Sequence, residues 1–376
     1  MSSTAGIVFS SLNNNTLSRL TSDRTVAAIP FGCRYRLVDF ALSNMVNANM
    51  SNISVVANYN YRSLLEHIGS GKDWDLARRE NGINFVSPFQ SAKNPTEAKM
   101  FSTHLEALKS MRSYIYELKE DFVVMTDADT IMTLDLSKIV DSHEKSGADI
   151  TIVTKNTDKD FTAKHPRMMV SSANGRIDNI AMSEAYIPSH PSLMLGVYVM
   201  KTNYLRKIIE ESVAYNLTSL TELLMRGAKS NVYMEYKYDG YVAIVSSFLD
   251  YYRCSMEIAK NPDARNSLLG NREFPIFTRV HNSAPTRYKS TASVKNSLIA
   301  DECVIEGEVE NSIIFRGVKI EKGAKVKNSV LFRGVYVGKG ATLNSIVADK
   351  DVYVSDGVCL SGNDNMPFYI QKSRKI

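Results

Sequence analysis

Asp127 and Asp129 stand two residues apart, just after the apolar run Phe122–Thr126. Carboxylates placed this way could share a divalent cation that bridges phosphate oxygens. They could equally accept the hydrogen bonds of a tight turn, the plainer use of such a pair. The first apolar run, Ala5–Phe9, leads into Ser10-Ser11-Leu12-Asn13-Asn14-Asn15-Thr16-Leu17. Asparagine visits the left-handed region more readily than most residues, so Asn13, Asn14 and Asn15 can form a turn. The stretch holds no glycine, and each Cβ keeps a phosphate away from the backbone N–H groups that would cradle it. Arg24, Arg34 and Arg36 follow, and Arg316 and Arg333 lie 17 residues apart in the last quarter of the chain. These arginines are candidate anion contacts, weighed against an ordinary solvated surface role. His67, His104, His143, His165, His190 and His281 show no metal-type spacing, and Cys33, Cys254, Cys303 and Cys359 form no CxxC pair. No metal site is expected, and incidental thiols of this kind suit a reduced, cytoplasmic protein.

The elements that must position these residues follow from the hydrophobic pattern. Ala5–Phe9, Ile53–Ala57, Phe122–Thr126 and Ile150–Thr154 are continuous β-branched runs, as expected of strands buried on both faces. Thr103–Leu118 places Leu105, Leu108, Met111, Ile115 and Leu118 on one helical face. Further helices are expected at Ala41–Ala48, Tyr61–Ile68, Leu136–Lys145, Asn203–Ala214 and Phe248–Lys260. Strand and helix in alternation predict an α/β domain with a mostly parallel sheet over residues 1–255. Chemistry in such a sheet sits at the carboxyl ends of the strands, so the loops after Phe9 and Thr126 are its expected place.

Composition agrees. The chain has 376 residues, 44% hydrophobic and 23% charged, with a formal net charge of +5. That charge is too thinly spread to argue for nucleic acid or membrane binding. No stretch approaches the roughly 18 apolar residues of a membrane helix, and MSSTAGIVFSS lacks the basic region of a secretory signal.

From about residue 292 the texture changes. Phe315-Arg316-Gly317-Val318 recurs as Phe332-Arg333-Gly334-Val335, and Gly323-Ala324 recurs as Gly340-Ala341, both after 17 residues. Val-x-Asn-Ser occurs at Val294–Ser297, Val309–Ser312 and Val326–Ser329. A step near 17, built from three short strands, is one coil of a triangular parallel β-helix, with Gly and Asn at the corners. Residues 256–291 hold Pro262, Pro275 and Pro285 and little periodicity, and are expected to link the domain to a β-helix and tail over 292–376.

Residues from Leu20 to Ile68 resemble the N-terminal half of bacterial ADP-glucose pyrophosphorylases, also called glucose-1-phosphate adenylyltransferases. The matching words are Pro30-Phe31-Gly32, Tyr35-Arg36, Asp39-Phe40, Leu42-Ser43-Asn44 and His67-Ile68. Asp135, Gly196-Val197-Tyr198 and the C-terminal repeat extend the resemblance over nearly the whole chain. It implies a Rossmann-like nucleotidyltransferase domain followed by a left-handed parallel β-helix. The activity it implies is the joining of ATP and glucose 1-phosphate into ADP-glucose and pyrophosphate, with Mg²⁺.

Residue by residue, the chemistry words depart from that family. The arginine of its Gly-rich loop falls on Thr16, and the lysine of its Arg-Ala-Lys-Pro word falls on Val26. Its Gly-Asp-His word aligns Asp129 with the metal aspartate and Thr130 with the histidine, while its second metal aspartate falls on Ile244. No lysine stands in Ile180–Ala185, where a Glu-Lys-Pro word is expected. The chain is therefore most similar to a non-catalytic, regulatory glycogen-biosynthesis subunit. The resemblance implies that no residue is catalytic, that Asp129 is vestigial, and that Asn13, Asn14, Asn15 and Arg24 are pocket remnants. It also implies no cofactor, a catalytic pyrophosphorylase subunit as partner in a hetero-tetramer, and a sugar-phosphate or nucleotide effector near Arg34, Arg36, Arg316 or Arg333. The alternative is an active glucose-1-phosphate adenylyltransferase using Mg²⁺ and an Asn-rich phosphate loop. A β-helix acyltransferase is disfavoured because residues 292–376 contain no histidine.

Overall fold

The computed structural model describes residues 3–10, 15–78, 80–88, 100–157, 168–182 and 191–376. The apolar runs become β1 (Thr4–Phe9), β2 (Asn52–Val56), β3 (Gly82–Val86) and β4 (Phe122–Asp127). After β4 come β5 (Thr130–Ile131), β6 (Ile150–Asn156), β7 (Met168–Ala173) and β8 (Arg176–Met182). The domain closes with β9 (Ser192–Lys201), β10 (Tyr233–Lys237) and β11 (Ala243–Ile244). Nine of these strands form one sheet in the order β3-β2-β1-β4-β9-β6-β10-β8-β7. The half carrying β1, β2, β3 and β4 is parallel. Beyond it β9 runs antiparallel to both β4 and β6, so the sheet as a whole is mixed. Ile7, Val8, Val55 and Val124 are fully buried, as continuous apolar strands between two helical layers require.

Helices cover both faces. They include α1 (Leu37–Asn47), α2 (Arg62–Ile68), α3 (His104–Ser110) and α4 (Leu136–Ser146). Later come α5 (Thr202–Ala214), α6 (Phe248–Lys260) and α7 (Pro262–Leu269). The single helix expected over Thr103–Leu118 is broken at Met111, where φ is −96° and ψ is 20°, and resumes at Arg112–Glu117. The break is shallow, because Ile115 N–H still donates to Met111 O at 3.0 Å and both segments keep Leu105, Leu108 and Ile115 buried. No helix among the described residues is long and apolar enough to cross a membrane.

The VDFALSN word is structural. Asp39 is fully buried, accepts from Arg36 N–H at 3.0 Å to fix the start of α1, and meets His67 Nε2 at 2.6 Å. Asn44 donates to Met132 O and accepts from Leu134 N–H, both at 3.0 Å, which pins the segment after β5 against α1.

The C-terminal repeat forms three parallel five-stranded sheets, the walls of a β-helix. Val294, Val309, Val326, Leu343 and Leu360 stack in one wall, a first step of 15 residues followed by steps of 17. Asn296, Asn311 and Asn328 take positive φ at 44°, 49° and 47°, which explains the Asn of each Val-x-Asn-Ser word. The serine explains itself through a ladder: Ser329 N–H donates to Ser312 Oγ and Ile346 N–H to Ser329 Oγ, each at 3.1 Å.

The expected linker is not irregular throughout. It contains the end of α6, all of α7 and, at Arg287–Tyr288, the first strand of one wall. The two halves share an apolar cluster in which Phe248, Tyr251 and Tyr252 of α6 pack with Phe315, Phe332 and Val347 of the β-helix. Tyr252 also donates to Asn328 O at 2.8 Å. The β-helix is thus docked on the α/β domain rather than tethered to it.

Candidate functional site

The register of the sheet gathers the strand ends. Phe9, the last residue of β1, lies opposite Asp127, the last of β4, and Ala128 N–H donates to Phe9 O at 2.9 Å. Beyond them β5 and β11 pair antiparallel, with Ile244 opposite Thr130, and Val245 N–H donates to Asp129 O at 2.9 Å. The structure therefore brings together the two positions that the family resemblance implies for metal carboxylates. One is Asp129, half-buried, whose Oδ1 accepts from Thr130 Oγ1 at 3.3 Å. The other is Ile244, which packs with Val242 and Tyr238 against the apolar core.

Asp127 has a different partner, one that sequence reasoning missed. His104, the first residue of α3, places Nε2 2.6 Å from Asp127 Oδ1, and its ring meets Phe9 edge-on at 4.6 Å. Burial would lower the His104 pKa, but the charge and hydrogen bond of Asp127, with Asp129 behind it, outweigh that and raise it. Gly196 explains the retained Gly-Val-Tyr word: its φ is +70°, and a Cβ there would lie 2.6 Å from Asp127 Oδ2. Two residues on, burial pushes the Tyr198 hydroxyl up, and the charges of Asp127 and Asp129 add to the effect.

These groups do not fit a magnesium site. One carboxylate is engaged by a histidine, Ile244 stands opposite Thr130 beside the other, and no cluster of three or more His, Cys, Asp or Glu among the described residues could hold a metal ion.

The expected pocket remnants fare differently. Asn13 and Asn14 lie outside the described residues, as do 183–185 of the missing Glu-Lys-Pro word, and Asn15 opens a one-turn 3₁₀ helix. Thr16, at the arginine position, donates its hydroxyl to Ser246 O and so ties the loop to the segment after β11. Val26, at the lysine position, is fully buried in the apolar cluster shared with the β-helix. Arg24 faces the β-helix as well: its Nη2 meets Asp349 Oδ1 at 2.7 Å, and its guanidinium lies over the Phe332 ring at 5.6 Å. It serves here as an interdomain ion pair.

Of the anion candidates, Arg34 is exposed beside the Tyr35 ring and Arg316 is paired with Asp301 at 2.8 Å. That carboxylate one coil below supplies the partner that a stack of Arg316 and Arg333 needs on one side. Arg36 donates to Ser63 O at 2.6 Å; burial is the main cause lowering its pKa to about 10, opposed by Asp39 and assisted by Arg24 and Arg279. Lys350, not foreseen, follows Arg316 and Arg333 in the same column of coils. Burial first, then Arg36, Arg24 and Arg333, push its ammonium down to about 8 against the pull of Asp349. The 17-residue step extended from Arg333 was the signal that could have found it.

A nucleotidyl transferase family model matches residues 13–241, and a GlmU-like C-terminal hexapeptide model matches residues 281–367. The chain belongs to the nucleotidyl transferase family. It is 30% identical to the glycogen biosynthesis protein GlgD of Bacillus subtilis (strain 168), over 85% of this chain and 82% of that protein. It is 31% identical to GlgD of Geobacillus stearothermophilus over the same shares. A glucose-1-phosphate adenylyltransferase of Mycoplasma mobile is 28% identical over 81% of this chain and 80% of its own length. The parallel walls of this family member are those of a left-handed β-helix.

The His104–Asp127 pair gives this family member a testable pH dependence. A histidine whose folded pKa is raised stabilises fully below the unfolded value of about 6.5, and that contribution is lost as pH rises through the folded value. Replacing His104 by Asn should lower the denaturation midpoint most near pH 6 and progressively less above pH 7. An equal loss at pH 6 and pH 9 would show that the ring acts only by packing on Phe9.

Proposed function

We propose that this chain is a regulatory, non-catalytic subunit of glycogen biosynthesis, which assembles with a catalytic glucose-1-phosphate adenylyltransferase and changes its kinetics. The observation that carries the reading is the pairing of β5 with β11, which sets Ile244 opposite Thr130 beside the one aligned aspartate, Asp129. An apolar side chain there cannot stabilise the charge that builds on the phosphates. The alternative of an active enzyme with an Asn-rich loop is not favoured, since Val26 faces the core and Arg24 is committed to Asp349.

Regulation has a physical place in this molecule. Arg24, Arg36, Arg333 and Lys350 converge where the α/β domain meets the β-helix, and a sugar phosphate or nucleotide would relieve their mutual repulsion. Arg34 and Arg316 both lie close enough to Cys33 for their charges to act on its thiol. Ile131, Ala243 and Val245, next to the strand-end site, belong to one apolar cluster with Phe315, Phe332 and Val347 of the β-helix. An anion bound at the junction could bias that packed cluster and, through it, a partner.

The test mixes this chain with a purified catalytic glucose-1-phosphate adenylyltransferase. Light scattering should show a complex, and the partner's substrate or effector affinity should change by about 5–150-fold, the usual range of allosteric coupling. A partner whose mass and saturation curves both stay unchanged at micromolar concentrations would sink the proposal.

A further inference from the structure

A side chain from outside the sheet crosses the ends of three strands. Gly196 of β9 leaves a hollow where a side chain would stand, and the Asp127 carboxylate lies in it. A Cβ at Gly196 would meet Asp127 Oδ2 at 2.6 Å and Asp127 Cβ at 3.2 Å. His104, carried by α3, meets the ring of Phe9 edge-on at 4.6 Å and closes on Asp127 Oδ1 at 2.6 Å. Phe9 ends β1 and Asp127 ends β4. The His–Asp bridge therefore spans the ends of β1, β4 and β9, the crevice in which a sheet of this kind receives its ligand. It fronts the solvent rather than the core, since the two side chains are 32% and 21% exposed.

The bridge is held from both flanks. Asn58, in the loop after β2, donates to Phe101 O at 2.8 Å and accepts from Phe101 N–H at 2.9 Å, three residues before His104. Thr103 caps α3 by accepting from Glu106 N–H at 3.1 Å, and its hydroxyl donates to Thr218 O. Lys109 of the same helix donates to Leu217 O. With the backbone on either side fixed, the His104 ring has little freedom to swing away. A ligand would have to part imidazole from carboxylate in a half-buried place, and each polar group left unpaired there is costly.

We propose that the His104–Asp127 bridge is an internal plug, which fills the strand-end crevice and keeps out the sugar phosphates and nucleotides that would otherwise enter it. In a mixed assembly the chain then withholds no substrate from a catalytic partner. The inference goes beyond the assembly reading and does not depend on it.

The probes are glucose 1-phosphate and ATP, each with Mg²⁺, titrated separately into the full chain. Either could also bind at the interdomain junction, so the readout is local: the imidazole resonances of His104, followed by NMR at fixed pH. They should stay in place up to about 10 mM of either probe, beyond the millimolar end of ordinary affinities. His104→Ala combined with Asp127→Ser removes both halves of the plug. By calorimetry this variant should gain a binding event for glucose 1-phosphate that the wild type lacks, at least ~10-fold tighter than the wild-type limit. His104→Gln keeps a donor toward Asp127 and should stay closed. Saturable movement of the wild-type His104 resonances by either probe within that range would overturn the plug. A double variant that keeps its cooperative thermal transition yet gains no binding event would overturn it as well. Neither result touches the assembly reading, which the mixture with a catalytic subunit tests separately.

Discussion

Purified alone and supplied with ATP, glucose 1-phosphate and Mg²⁺, the chain should form ADP-glucose well below about 1 s⁻¹, the lower end of ordinary turnover. Removing one group that stabilises a transition state costs about 10²–10³ in rate. By the family resemblance, Thr16, Val26 and Ile244 stand where a loop arginine, a lysine and a metal carboxylate are expected. Such losses need not multiply, but little should remain. Ile244→Asp alone should not restore activity, because a single new carboxylate beside Asp129 supplies neither the loop nor the cations. Val26→Lys should be costly in itself, since it forces an ammonium into a fully buried apolar position. A rescue therefore needs the loop re-laid as well: glycines at Asn13, Asn14 and Asn15 and Thr16→Arg, beside Val26→Lys and Ile244→Asp. Turnover above about 1 s⁻¹ in the unmodified chain, or its recovery by Ile244→Asp alone, would show that the Asn-rich loop already places a triphosphate.

Asp349→Ala should destabilise the protein by about 3–5 kcal/mol, the cost of leaving one member of a buried ion pair without the other. The Arg24 and Asp349 side chains are only 2% and 1% exposed, and Asp349 also accepts from the Tyr369 hydroxyl at 2.6 Å. The loss should appear as a lower midpoint in chemical denaturation. Arg24→Met combined with Asp349→Leu should recover much of it, because apolar replacements of similar volume leave no buried charge behind. If Asp349→Ala stayed within about 1 kcal/mol of wild type, water would be reaching the guanidinium and the two halves would be less firmly docked than the shared cluster implies.

The strands that bear the site were legible because burial on both faces leaves a local mark. Ala5–Phe9 and Phe122–Thr126 read as core strands without any tertiary knowledge, and they are β1 and β4. The β-helix was legible for a similar reason: each coil repeats the same corner, so Asn and Ser recur at nearly the same step wherever positive φ and the serine ladder are needed. The mixed order of the sheet beyond β4 was not legible, since β9 owes its place to non-local partners, 71 to 79 residues away on β4 and 36 to 50 residues away on β6.

The two-part architecture and the family are legible in the chain alone, and the family resemblance sets Thr16, Val26 and Ile244 where catalytic side chains are expected. Those are statements about residue type and local spacing, which a chain carries openly. What the remaining polar groups do is set by the folded chain. Arg24 looked like a pocket remnant because it follows the loop, but the β-helix folds Asp349 onto it from 325 residues away. His104 looked like one more helix residue until α3 set it 2.6 Å from Asp127. Lys350 joined Arg24 and Arg36 because coils stack in register while the domain docks beside them. Partners of buried charge are chosen by proximity in space, where desolvation makes each pairing obligatory, and a linear pattern carries no record of which distant group will be there.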